Sequence, residues 1–92
     1  MSFFRHCKKR STMEMSFLRG VPSFLYIENC ARPFEKQAAY DDFYAWVVSD
    51  DDYLFVYSRE MLSVLQEDTV VARYTVKVPT SDFTGKVKFS LL

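Results

Sequence analysis

The most regular hydrophobic pattern lies near the C-terminal end of the chain. Residues 70–78 set Val70, Ala72, Tyr74, Val76 and Val78 against Val71, Arg73, Thr75 and Lys77. Successive side chains of a strand point to opposite faces, so this period of two predicts a half-buried strand. Residues 86–91 repeat the device, with Val87, Phe89 and Leu91 on one face and Lys86, Lys88 and Ser90 on the other. Pro79, Ser81, Asp82 and Gly85 supply turn chemistry between them, which predicts a loose antiparallel hairpin. Upstream, residues 43–48 and 53–57 are short β-branched and aromatic runs. Ser49, Asp50, Asp51 and Asp52 separate them, and a second hairpin with an acidic turn follows.

Between the hairpins, Ser58 suits a helix cap, and Met61, Leu62 and Leu65 recur at helical spacing with Val64 beside them. The pattern predicts a helix over 59–67. Pro33 at a first-turn position and the helix formers of 34–40 predict another before the first hairpin. Met13, Met15 and Phe17 alternate as an edge strand over 12–19, while residues 23–28 fit a short helix or an extended segment. The expected fold class is therefore α+β. It is a small antiparallel sheet with a strand-strand-helix-strand-strand core and one or two helices on one face. Residues 1–11 read as a flexible basic arm and residues 12–92 as a single domain.

Composition narrows this reading. A chain of 92 residues supports one core. Nine Phe, six Tyr and one Trp argue for a packed interior and against disorder. A charged residue or Gly interrupts every apolar run before it reaches the length of a membrane helix, so no membrane partner is expected. The charged start lacks the apolar segment of a signal peptide, which leads to an expected cytoplasmic location. There Cys7 and Cys30 would stay reduced as ordinary thiols. Zero net charge hides an asymmetry. Residues 1–20 carry five basic side chains against Glu14, whereas residues 28–52 carry seven acidic ones against Arg32 and Lys36. Such segregation bears on partners and association rates more than on fold.

Candidate chemistry is sparse. Asp50, Asp51 and Asp52 offer oxygen ligands, but counting an EF-hand loop from Asp50 puts Phe55 at its sixth position and Met61 at its twelfth. A solvated turn is the better reading, and no metal is expected. His6 and Cys7 sit side by side, yet a base must be held rigidly against its nucleophile, and a terminal arm does not do that. With Gly20 and Gly85 as the only glycines, no phosphate-cradling loop can be assembled. Neither an enzymatic activity nor a cofactor is expected.

Two surfaces remain. Arg5, Lys8, Lys9 and Arg10 interleave with Phe3 and Phe4, a composition suited to nucleic-acid backbone and bases. Zero net charge weighs against tight autonomous binding, because counterion release rewards many phosphate contacts. Asp41, Asp42, Tyr44, Asp50, Asp51 and Asp52 lie in an aromatic-rich stretch and would suit a basic partner. Compact neutral domains with segregated charge and no site chemistry are similar in kind to small inhibitors encoded by phages and mobile elements, including anti-restriction and anti-CRISPR proteins. That likeness implies a non-enzymatic protein that blocks a surface of a larger host protein or ribonucleoprotein complex. In it the acidic residues would face the partner, while Arg5, Lys8, Lys9 and Arg10 would touch nucleic acid. The alternative is a small nucleic-acid-binding module that uses the basic arm.

Overall fold

The computed structural model describes residues 13–27, 30–38 and 44–89. Among them every regular element is a strand, and the expected α+β class is corrected to all-β. In chain order the strands are β1 (Met13–Leu18), β2 (Val21–Ile27), β3 (Cys30–Pro33), β4 (Glu35–Ala38), β5 (Tyr44–Asp50), β6 (Tyr53–Ser58), β7 (Met61–Gln66), β8 (Thr69–Thr75) and β9 (Gly85–Phe89). They form two antiparallel sheets, ordered β3-β2-β1-β9 and β4-β5-β6-β7-β8. Only Phe34 separates β3 from β4, so a single bent segment serves both sheets and makes their shared corner. The Phe34 N–H donates to the Ser23 carbonyl at 2.9 Å, which holds the bend against β2.

The segment expected to be a helix over 59–67 is instead a turn at Arg59 and Glu60 followed by β7. Leu62 and Val64 alternate inward and are almost fully buried, while Met61 points out. Pairing with strands on both sides supplies the backbone partners that a helix would have found locally, and it overrides the spacing of Met61, Leu62 and Leu65. Residues 34–40 were likewise expected to be helical, but through Ala38 they form the bend and β4. The proposed edge strand over 12–19 is β1, and it sits inside its sheet between β2 and β9. Its alternation is real, with Met13, Met15 and Phe17 buried. The expected hairpin between 70–78 and 86–91 does not form. β8 closes one sheet, the chain crosses over, and β9 pairs with β1 in the other.

One core lies between the sheets. Phe55, Leu62, Val64, Tyr57 and Val48 from the five-stranded sheet meet Met13, Met15, Phe17, Leu25 and Ile27 from the four-stranded one. Burial of side chains this large contributes about 1.5–3 kcal/mol each. Tyr57 packs edge-on against Phe17 at 5.9 Å and donates its hydroxyl to the Val76 carbonyl at 2.8 Å. Burial, with Glu60 adding to it, pushes the Tyr57 hydroxyl from 10.0 up to about 12.

Tight turns organise the meander. Two residues connect β1 to β2, β5 to β6, β6 to β7 and β7 to β8, and positive φ recurs in each connection. Such backbones match the twist of paired strands, and Gly, Asn and Asp adopt them most easily. Here Arg59, Glu60 and Glu67 take them as well. Gly20 has a further reason to be glycine. A Cβ there would collide with the Ser81 carbonyl oxygen, and its N–H donates to the Phe83 carbonyl at 2.8 Å. The β1–β2 turn is thereby fastened to the crossover before β9.

Candidate functional site

Two acidic turns stand at one end of the five-stranded sheet. The β5–β6 turn holds Asp51 and Asp52, and the β7–β8 turn holds Glu67 and Asp68. With Ser49, Tyr53, Leu54 and Leu65 they line a shallow depression of about 260 Å³. An odd number of connections places these turns together, since antiparallel strands reverse direction at each one. Cross-strand register then sets Ser49, Leu54, Leu65 and Val70 in one row across β5 to β8. Leu54 and Val70 are exposed, which makes an apolar strip beside exposed carboxylates.

Asp50 is separate from this group. It ends β5, is 6% exposed, and places Oδ1 2.9 Å from Nη2 of Arg32 on β3. The pair joins the two sheets at the corner made by the bend. Its other oxygen, Oδ2, has no hydrogen-bond partner among the described residues. The expectation of a solvated Asp50 facing a partner is corrected on this point. Alternation from Trp46 through Val48 carries Asp50 to the inner face, and only Asp51 and Asp52 form the exposed turn. A buried ion pair must recover the cost of desolvating both charges, so its removal on one side is expensive.

Tyr44 is 56% exposed at the start of β5. Lys36 Nζ stands 4.3 Å from its ring centroid and 5.6 Å from that of Trp46. The cation already occupies one aromatic face, a contact of the cation–π type. Asp41 and Asp42, together with Arg5, Lys8, Lys9 and Arg10, lie outside the described residues. So does the basic arm as a whole. Cys30 is disulfide-bonded, which corrects its reading as an ordinary thiol; the one other cysteine of the chain, Cys7, also lies outside the described residues. Cysteine count permits one bridge, and the reduced reading rested on compartment alone.

Charge separates by sheet. Apart from Arg32 and Asp50, the described part of the four-stranded sheet and its turns holds Glu14 against Arg19, Lys86 and Lys88. The five-stranded sheet and its turns hold Glu35, Asp51, Asp52, Glu60, Glu67 and Asp68 against Lys36, Arg59 and Arg73. Glu14 lies 3.9 Å from Lys86 and 3.8 Å from Lys88, contacts at an exposed face that solvent screens. Glu67 and Asp68 are the site residues that sequence reasoning missed, because the expected helix over 59–67 hid the turn. The signal available was the alternation of Leu62 and Val64 just before it.

Fold and site together define a small two-sheet β domain with oppositely charged sheets and an acidic, partly apolar end. No protein-family model matches the chain, and no curated protein or solved structure compared with it does so either. Among the described residues, no group of three or more His, Cys, Asp or Glu side chains is placed to hold a metal ion. Among the same residues no helix is long and apolar enough to cross a membrane.

Proposed function

We propose that this protein is a non-enzymatic binding protein that blocks a basic surface of a larger host protein or ribonucleoprotein complex, as phage-encoded and mobile-element inhibitors of anti-restriction or anti-CRISPR type do. The observation that carries this reading is the pairing of the turns. Asp51 and Asp52 stand with Glu67 and Asp68 around Leu54 and Leu65, so carboxylates rim an apolar centre. Polar rims around apolar centres are the usual anatomy of a protein interface, and like charge at the rim steers encounter with an oppositely charged partner. Nucleic-acid-binding channels are basic surfaces of that kind. The positive balance of the four-stranded sheet fits a secondary contact with a guide or substrate strand.

Recovery of a partner from host lysate, with and without nuclease, supplies the target. Association is then measured against ionic strength. Reversal of Asp51, Asp52, Glu67 and Asp68 to Lys should slow association roughly tenfold or more at low salt and leave dissociation less affected. Tight binding to a naked oligonucleotide, unchanged by this reversal, would replace the reading with the nucleic-acid module. A cytoplasmic site of action requires Cys30 to be reduced there, because cytosolic thiols are kept reduced. Rapid alkylation in cells reads that state directly, and an intact disulfide would move the protein to an oxidising compartment.

A further inference from the structure

Among the described residues the two sheets end in four edge strands, and three of them are guarded by charge or proline. β3 carries Arg32 and ends in Pro33, β4 carries Glu35 and Lys36, and β9 carries Lys86 and Lys88. Charge and proline are the devices by which natural edges avoid pairing with other chains. β8 differs. Its seven residues, Thr69-Val70-Val71-Ala72-Arg73-Tyr74-Thr75, contain one charge, and Val70 and Val71 are 41% and 49% exposed. Among the described residues no strand pairs with its outer side.

The backbone of this edge is also correctly presented. The Val76 N–H donates to the Glu60 carbonyl at 2.9 Å, toward β7. Antiparallel strands alternate the direction of their amides, so those of Arg73 and Thr75 face away from β7. The one guard that β8 carries is a bulge at Val71, where the register shifts opposite Val64 and Leu65, and it is confined to the first half of the strand. Residues 72–75 stay regular. The charges at the two ends of the edge have opposite sign, with Glu67 and Asp68 before it and Lys77 after it.

We propose that β8 pairs antiparallel with β8 of a second copy of this chain, forming a two-fold dimer in which the five-stranded sheets become one continuous sheet. Antiparallel alignment sets the Glu67–Asp68 turn of each copy beside Lys77 of the other, whereas parallel alignment would bring like charges together. A two-fold axis repeats that contact, so the edge is self-complementary. This inference does not rest on the proposed inhibitor function, because it concerns the side of the sheet and not its acidic end.

The test is the molar mass of the full chain by light scattering across a concentration series, with circular dichroism as a check on folding. The wild type should approach twice the chain mass of 10.9 kDa as concentration rises. Val71→Lys should return it to the monomer mass with an unchanged spectrum and melting temperature. Lys77→Glu should weaken the dimer roughly tenfold by placing like charges at both ends, and adding Glu67→Lys to it should restore association. A wild type that stays monomeric at millimolar concentration would overturn the proposal. A dimer indifferent to Val71→Lys, or open-ended polymers in place of a closed dimer, would overturn it equally.

Discussion

The β5–β6 and β7–β8 hairpins belong to one sheet, end in acidic turns on the same side, and have different fates. The first is closed in. Its strands are flanked by β4 and β7, Phe55 is fully buried, and Asp50 reaches across to Arg32 of the other sheet. The second is open, with β8 on the edge and Val70 and Val71 turned to solvent. The same turn chemistry therefore serves cohesion in one hairpin and presentation in the other. Strand order decides which, since each extra neighbour removes one more row of backbone groups and side chains from water.

The contrast should break most visibly at Phe55. Phe55→Ala leaves a cavity where both sheets meet and should cost about 3–5 kcal/mol in denaturant unfolding. Asp50→Ala comes next, because it removes the buried carboxylate that joins the two sheets through Arg32, and it should cost about 3 kcal/mol. Asp52→Ala, two residues further on and exposed, should stay within about 0.5 kcal/mol. Equal losses at the two positions would erase the distinction drawn between them.

Tyr57→Phe removes the hydroxyl that the buried Val76 carbonyl accepts, at a cost of about 1–2 kcal/mol. It also predicts a pH effect. The folded protein favours the neutral phenol, whose ionisation is raised from 10.0 to about 12. The stabilisation is complete below pH 10.0 and is lost as pH rises toward about 12, so wild-type stability should fall across that window. The Tyr57→Phe protein should lack this component of the fall. The open hairpin should show a gain in stability. Glu67 and Asp68 both have positive φ, so Glu67→Asn with Asp68→Gly should gain about 1 kcal/mol, whereas Asp52→Gly should gain nothing comparable.

The same contrast explains what was legible in the sequence. The first hairpin announced itself through aromatic and β-branched runs on either side of three Asp residues, which are natural turn formers. The second was masked. Arg59-Glu60 and Glu67-Asp68 are not the residues that normally mark two-residue turns, and Met61, Leu62 and Leu65 imitate a helical face. Local propensity therefore pointed to a helix, and pairing on both sides of β7 overruled it. The strand expected over 70–78 is β8 at Thr69–Thr75, readable from the buried Tyr74, but a register shift turns Val70 away from the face it was expected to share, and residues 76–78 lie beyond the strand. Its partner was not readable, because alternation fixes a strand's faces and is silent on its neighbours. Half of the acidic end was readable for the same reason: Asp51 and Asp52 stood out, while Glu67 and Asp68 needed the strand order. Arg32 as the mate of Asp50 was invisible, since the two residues meet only across the bent corner.

Amide hydrogen exchange, resolved residue by residue and followed over protein concentration, tests the contrast between the closed and open hairpins most directly. The amides of β6 around Phe55 should exchange only through global unfolding at every concentration. Those of Arg73 and Thr75 should exchange far faster in dilute solution and slow as the concentration rises and the edge finds its second copy. Protection at Arg73 and Thr75 equal to that at Phe55 in the most dilute sample would contradict the account, because the β8 edge would then already be covered within a single chain.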